Sequence, residues 1–429
     1  MIDPRLILSD KDYVKRELAK KSFDVKMIDA IELILHDIRS QKAALNEMRR
    51  EHNAMQRERP KSDPSTQPSG TETPKSATPY RDLERKQRGR ITNAGKDLRN
   101  LEDHAQSLLL SVPNIPDAEA PAGSGGSSNR VLFESSDHHE CQVPEPATHW
   151  HIAERLGILD PLSANKVSGQ GFGFFQGKGA KLLRALVNYC MALHESKYHE
   201  MLPPHLVHSR ALAHTGHLPR FASDQYKCES DDLWLIPTAE VPMTAAFAGT
   251  VFPKGALPKR YMAYTLAFRR EAGATGKETR GLQRVHEFHK VELLKIVEPD
   301  MVQPELDDLL EDCLQIIKDL RLRYRVVDLC AGEMGDKYAR CYDIEVYSPG
   351  VRKWLEVASV GHFSDYQARR ANIKYIDGKG KKRTAYTLNG SGIAAARVWL
   401  SIIETYQQPD GTVKVPDVLV PFMGCEIIS

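Results

Sequence analysis

The sequence predicts an α+β chain: a long antiparallel helical hairpin, a linker, and a larger domain built on antiparallel strands. Three observations predict it. Two stretches repeat apolar residues on a heptad, a segment rich in Pro, Gly and Ser follows them, and Tyr261 to Lys295 reads as two strands joined by a polar, glycine-bearing loop.

The first heptad run spans Ile31 to Met55. Ile31, Ile38 and Leu45 form one seam, with His52 next in line; Ile34, Met48 and Met55 form the other, interrupted by Gln41. A second run places Ile91, Leu98, Ala105 and Val112 on one seam and Ala94, Leu101 and Leu108 on the other. Two such runs joined by one connection predict an antiparallel pair of helices. The connection, 58–80, holds Pro60, Pro64, Pro68, Pro74 and Pro79 among Ser and Thr, and is expected to be non-helical and disordered. Residues 1–112 are thus read as an arm, 113–129 as a linker without periodicity, and 130–429 as the second domain, with a helix expected over 180–197.

Composition narrows the class. A chain of 429 residues with 41% hydrophobic and 27% charged residues is that of a soluble globular protein. A net charge of +2 means that any nucleic acid must be met by local patches. No apolar run reaches membrane-spanning length, so no membrane partner is expected. Neither a secretory leader nor an Arg/Ser-rich transit segment is visible at the start, and the expected setting is the cytoplasm or, after removal of a transit peptide, the mitochondrial matrix. Seven dispersed cysteines without a C-x-x-C pair fit free thiols in a reducing compartment. His286 and His289 are three apart on an expected strand and point to opposite faces, so no zinc is expected.

Within the strand pair, Tyr261 to Arg269 is aromatic and apolar, and Val285 to Leu294 alternates imperfectly through Val285, Phe288, Val291 and Leu293. Gly273, Gly276 and Gly281 permit turns between them, and Arg269, Arg270, Lys277, Arg280 and Arg284 crowd the mouth. Guanidinium groups gathered in this way suit a polyphosphate; a solvated basic loop on an antiparallel sheet is the plainer alternative.

Order and spacing separate the two. FRREAGATGKETRGLQRVHEFHKVE resembles the second signature motif of class II aminoacyl-tRNA synthetases, in its seryl-tRNA synthetase version. LWLIPTAEVP upstream and LNGSGIAAAR near the C-terminus resemble further segments of the same family, in the same order, and the likeness covers essentially the whole chain, arm included. The resemblance implies a class II antiparallel sheet flanked by helices, with a coiled-coil arm that binds tRNA. It implies a serine–tRNA ligase that forms seryl-adenylate from L-serine and ATP with Mg²⁺ and esterifies tRNA-Ser, and tRNA-Sec where that tRNA exists. HTGHLPRF, His214 to Phe221, resembles the stretch after the family's dimer-forming motif, so a homodimer is expected.

Residue by residue, the resemblance assigns serine to Thr238, Ala239, Glu240, Arg269, Glu292, Asn389 and Ser391. It assigns ATP to Arg269, Arg270, Glu271, Val285, Phe288, Glu356, Val357, Ala358, Ser359 and Arg397, and the metal to Glu356 and Ser359, with Glu345 assisting. Arg269, Glu271 and Arg397 are the expected catalytic residues: Arg269 bridges the substrate carboxylate and the α-phosphate, and Arg397 meets the γ-phosphate. Glu240 reads as a buried carboxylate whose cation is the substrate ammonium. TAYTLNGSGIAAARVWL reads as strand, glycine turn and helix.

The sequence departs from the family at Ala358 and at Val360, Gly361 and His362, where a Ser and a Cys-Ser-Asn run are usual. It departs again at Glu287, where Gln is usual; altered ATP or metal affinity is the expected consequence. On the arm, Lys42, Arg49, Arg50, Arg85, Arg88, Arg90 and Arg99 are candidates to track RNA phosphates, against the alternative of an ordinary solvated coiled-coil face. Two rivals stay open at this point. A paralogue serving another acceptor is kept alive by the proline-rich tip and the 360–362 change; a non-catalytic RNA-binding protein is opposed by the retained arginines.

Overall fold

The computed structural model describes residues 1–57, 78–272 and 281–429, with 78–81 described by backbone alone. Gly273, Gly276, Lys277 and Arg280 of the basic loop, and Pro60 to Pro74 of the expected arm tip, lie outside the described residues. The chain divides into two compact units. One comprises Pro4–Lys15 and Asp24–Val112, the other Met1–Asp3, Arg16–Phe23 and Pro113–Ser429.

The first unit is dominated by helices α1 (Lys26–Arg57) and α2 (Thr78–Ser111). The heptad residues Ile38, Leu45, Leu98 and Ala105 are buried between them, flanked by Ile34, Ile91, Ala94 and Leu101. Lys42 Nζ lies 2.5 Å from Glu102, and Gln56 donates to Glu84 at 2.9 Å, so numbers rising on one helix meet numbers falling on the other. The helices are antiparallel. The expected non-helical connection ends earlier than Tyr80: α2 begins at Thr78 and takes Pro79 into its first turn, where a missing N–H breaks no helical hydrogen bond. Of the arm cations, Lys42, Arg50 and Arg88 face Glu102, Glu47 and Glu84, while Arg49, Arg85, Arg90 and Arg99 are exposed.

The second unit is organised by one eight-stranded sheet. Its strands are β1 (Arg130–Glu134), β2 (His199–Glu200), β3 (Lys259–Phe268), β4 (Glu287–Val297), β5 (Tyr324–Asp328), β6 (Arg340–Ser348), β7 (Lys353–His362) and β8 (Tyr386–Ala394). Their spatial order is β1-β5-β6-β7-β8-β4-β3-β2. All neighbours are antiparallel except the short edge strand β2, which pairs with β3 in parallel. The predicted strand pair is β3–β4, with Ala263 opposite Glu292 and Ala267 opposite Phe288.

Helices α3 (Gly177–His194), α4 (Val302–Asp319) and α5 (Ala395–Thr405) bury their apolar sides against the sheet. Leu182, Leu186, Leu309, Ile316, Val398 and Ile402 share one core with Val291, Leu293, Ile344 and Val360. Helix α3 starts three residues before the expected helix, because Gly177 and Gly179 are helical rather than part of a loop; a Cβ on Gly179 would lie 2.2 Å from the Ile158 carbonyl oxygen. The expected glycine turn before α5 is absent. Strand β8 runs through Gly390 and Gly392, and a register shift between Ser391 and Ile393 supplies the irregularity. Segment 113–129 is hydrogen-bonded to the same unit, as from Asn114 N to Asp336 O at 2.8 Å and from Asp117 N to Ala339 O at 2.8 Å. No helix among the described residues is long and apolar enough to cross a membrane.

Candidate active site

Alternation along β4 sends Val291 and Leu293 into the helix-covered core and Lys290 and Glu292 to the other face. Above that second face, between the ends of β3, β7 and β8, opens a cleft of about 440 Å³. Of the expected site residues, Thr238, Glu240, Arg269, Glu271, Val285, Phe288, Glu356, Val357, Ser359, Asn389, Ser391 and Arg397 line it. Ala239, Arg270, Glu292, Ala358 and the assisting Glu345 do not. Glu292 is buried just beneath the floor, Ala239 packs against Met243 and Leu294, Ala358 joins the main core, and the Arg270 side chain is exposed while its N–H donates to Asp224 O.

One end of the cleft is a nest of buried polar groups. Glu240 and Glu292, 1% and 0% exposed, stand on either side of Asn389. Asn389 Nδ2 donates to Glu292 at 2.6 Å and to Glu240 at 3.2 Å, while its own carbonyl oxygen has no partner. Each carboxylate also has a lysine: Lys290 for Glu292 and Lys337 for Glu240. Thr238 donates to Glu292, and Gln367 donates to Glu240 at 2.6 Å. The Glu240 carboxylate thus already has a cation beside it, the Lys337 ammonium. His217 lines the same end, its Nδ1 in hydrogen-bond contact with Thr215 Oγ1 at 2.8 Å. Burial, reinforced by the charges of Lys337, Arg269 and Lys290, drives its pKa well below the usual imidazole range, which keeps the ring neutral.

The other end carries the row Arg269–Glu356–Arg397. Arg269 follows directly on β3; its N–H donates to His286 O at 2.9 Å, and its guanidinium stands 5.2 Å from the Phe288 ring centroid. Arg397, in the first turn of α5, donates through Nε to Gln283 O at 3.0 Å and through a terminal nitrogen to Glu356 O at 2.6 Å, with the Glu356 carboxylate 3.5 Å away. Glu271 has φ of +49°, a left-handed conformation rare for a residue with a side chain, and accepts from Arg284 at 3.3 Å.

Glu356 and Ser359 are three apart on a strand and would face opposite ways. A bulge between Glu356 and Ala358 inserts the extra residue that returns Ser359 to the same face, where its hydroxyl donates to Glu356 at 3.0 Å. Ser359 pairs across the sheet with Asp343, one of whose carboxylate oxygens is buried without a partner. Burial, and next to it the Glu356 charge, raise the Asp343 carboxyl well above its usual range. Burial works in the same sense on Glu356, yet Arg397, Ser359 and Arg269 hold that carboxyl below its usual value. Glu345 is turned to Arg325.

None of the 360–362 departures lines the cleft. Val360 is core, His362 is 3% exposed and 3.5 Å from Asp117, and a Cβ on Gly361 would lie 2.6 Å from the Tyr338 ring. Hydrogen bonding to His362, more than any other influence, brings the Asp117 carboxyl down to about 2. The sequence reading missed Lys290, Lys337, His217 and Asp343. Only Lys290 had a signal, its two-residue offset from Glu292 on one strand face.

Residues 226–406 match the family described as the tRNA synthetase class II core domain (G, H, P, S and T), and residues 1–116 match the seryl-tRNA synthetase N-terminal domain. The serine–tRNA ligase of Thermomicrobium roseum is 39% identical over 99% of this chain and 94% of its own length. That of Pseudothermotoga lettingae is 38% identical over 100% of both. The crystal structure of seryl-tRNA synthetase from Pyrococcus horikoshii complexed with ATP superposes with a TM-score of 0.89 at 29% identity, covering 100% of this chain and 99% of that one. With arm and catalytic sheet both matched along their full length, the chain belongs to the seryl-tRNA synthetase family of aminoacyl-tRNA ligases.

Proposed function

We propose that the cleft activates L-serine with ATP and passes the seryl group to the 3′-terminal adenosine of tRNA-Ser, and of tRNA-Sec where present. The observation that carries the amino-acid half is the acceptor-rich nest: Glu240, Glu292 and the unpartnered Asn389 carbonyl oxygen converge on one end of the cleft. Serine offers matching donors, an ammonium and a hydroxyl. A site whose buried acceptors are completed by a hydroxyl rejects alanine strongly, because alanine would leave them unpaired.

In the first step a serine carboxylate oxygen attacks the α-phosphorus, forming a P–O bond as the bond to the leaving pyrophosphate breaks. Arg269, lining the cleft, neutralises charge on carboxylate and α-phosphate; Phe288 stacks on adenine and Arg397 holds the γ-phosphate. The contribution is positioning and electrostatics, with no covalent bond to the enzyme. In the second step the terminal adenosine hydroxyl attacks the carbonyl carbon and AMP leaves. Glu356 and Ser359 supply hard oxygen donors of the kind a magnesium ion favours, and the unpartnered Asp343 oxygen beside them fits the same donor set. Bound there, the ion would neutralise the triphosphate.

The arm, with Arg49, Arg85, Arg90 and Arg99 exposed, would carry the tRNA backbone. We further propose a homodimer, supported by the exposed Leu202, Leu206 and Phe221 around the segment expected near the dimer interface. The proposed setting is the cytoplasm, where seven free thiols persist; the mitochondrial matrix is the alternative, which cell fractionation decides. Serine-dependent ATP–pyrophosphate exchange followed by charging of tRNA-Ser tests the reading. Both are expected, with alanine inactive. A folded protein that shows no exchange with serine overturns it.

A further inference from the structure

The loop after β5 carries Lys337 into the nest. Its Nζ is ion-paired with Glu240 while its side chain is only 16% exposed. The loop backbone is pinned: Lys21 donates to the carbonyls of Gly335, Asp336 and Tyr338, at 2.6 Å for the last, and Asn114 donates to that of Lys337 at 3.0 Å. The ammonium meets the Glu240 carboxylate and at the same time the stacked rings of Tyr338 and Phe363, whose centroids lie 5.4 and 5.3 Å from Nζ and whose faces attract a cation.

With both lysines paired, the nest holds two carboxylates and two ammonium groups and is electrically balanced before any substrate arrives. Serine is a zwitterion, and its ammonium is a third positive charge. It cannot share Glu240 with Lys337 without repulsion in a poorly hydrated pocket. We infer that Lys337 occupies, in the free enzyme, the place the amino-acid ammonium takes on binding, so that serine enters by exchanging one ammonium for another. Lys337 is then a specificity-determining residue: it lowers affinity for every α-amine and leaves the subsite open to a hydroxy acid with no ammonium.

This rests on the proposed role of Glu240, and the test separates the two. The probes are L-serine and L-glycerate, the latter carrying a hydroxyl where serine has its ammonium, each measured in ATP–pyrophosphate exchange as KM for serine and competitive Ki for glycerate. In Lys337→Met the KM for serine is expected to fall and the Ki for glycerate to rise. The ratio of Ki to KM should grow by about tenfold or more, the factor one charge-assisted hydrogen bond supports. An unchanged ratio, or a raised KM for serine, overturns the inference. Should Lys337→Met fail to fold, the wild-type enzyme decides by itself. Glycerate inhibiting within about tenfold of the serine KM supports a resident cation, and glycerate weaker by more than about a hundredfold refutes it. Glu240→Gln is the control for the underlying role: if it leaves the serine KM unchanged, Glu240 does not hold the ammonium and the reading of the site fails first.

Discussion

Glu404 makes the most exacting structural prediction, because one carboxylate in the last turn of α5 joins four parts of the catalytic unit. It is fully buried. One oxygen accepts from the His149 N–H at 2.8 Å and from His149 Nδ1 at 2.7 Å; the other accepts from Gly350 N at 2.9 Å, Val351 N at 3.3 Å and the Ser348 hydroxyl. The far nitrogen of His149 accepts the Leu282 N–H at 3.2 Å, which fixes the ring as its Nδ1–H tautomer. The chain reaches that point through Gly281, at φ +81°, where a Cβ would lie 2.1 Å from the same nitrogen. Helix α5, the segment at 149, the turn between β6 and β7 and the return from the basic loop are thus tied to one acceptor pair.

Glu404→Ala leaves five donors without an acceptor, each worth about 1–3 kcal/mol when buried and unmet. If water entering the void satisfies about half of them, the loss is on the order of 5 kcal/mol, against a typical stability of about 5–15 kcal/mol. At about 2 °C per kcal/mol for a large unit, the melting temperature should drop by roughly 10 °C. Glu404→Gln keeps one oxygen but aims an amide NH₂ at donors, and should fall between. Calorimetric or circular-dichroism melts at one scan rate measure this, and ATP–pyrophosphate exchange should show a raised KM for ATP, because Leu282 lines the cleft. A Glu404→Ala protein melting within about 2 °C of the parent would refute the reasoning, since by the same scale it would mean less than about 1 kcal/mol lost.

Arg397→Ala should lower the exchange kcat by about 10²–10³, the usual effect of removing a preorganised charge from a developing anion. Arg397→Lys should recover little, because one ammonium cannot span Gln283 O and Glu356 as the guanidinium does. Gly361→Ala should destabilise by about 1–3 kcal/mol, as its Cβ would lie 2.4 Å from the Arg340 carbonyl oxygen and 2.6 Å from the Tyr338 ring; a melt unchanged from the parent would contradict that packing. Lys21 supplies a pH test, since burial pushes its ammonium down to about 7 from 10.5. The unfolded chain then binds more protons than the folded one between those values, so stability rises with pH across that window. Lys21→Met should lose that rise when melts at pH 7 and 9 are compared with the parent's.

What could be read from the sequence is what depends on neighbours along the chain. The α1–α2 seam follows from seven-residue spacing, and the β3–β4 pair from aromatic and alternating positions, with ends displaced by one to three residues, the furthest where tertiary pairing extends the ladder to Val297. Asn389 and Ser391 share a strand face by their offset of two, and both line the cleft. Illegible were the features made by irregularity or distance. Glu356 and Ser359 meet only because a bulge cancels their odd spacing, and no periodicity announces a bulge. Glu404 finds His149 across 255 positions.

The 360–362 departures show the same divide from the other side. As sequence they look like changes to the ATP and metal site, because they adjoin Glu356 and Ser359. In the fold they lie where β7 turns from the cleft into the core. There Gly361 admits the Tyr338 ring, whose other neighbour is Phe363, stacked 4.8 Å away. Those two rings flank Lys337, and Lys337 holds Glu240. A larger residue at 361 would displace Tyr338 and with it one wall of the lysine's surroundings. The consequence of the departure is therefore expected at the amino-acid end of the cleft. Gly361→Ala should shift the serine KM more than the ATP KM in exchange kinetics, and the opposite order would return the departure to the nucleotide site.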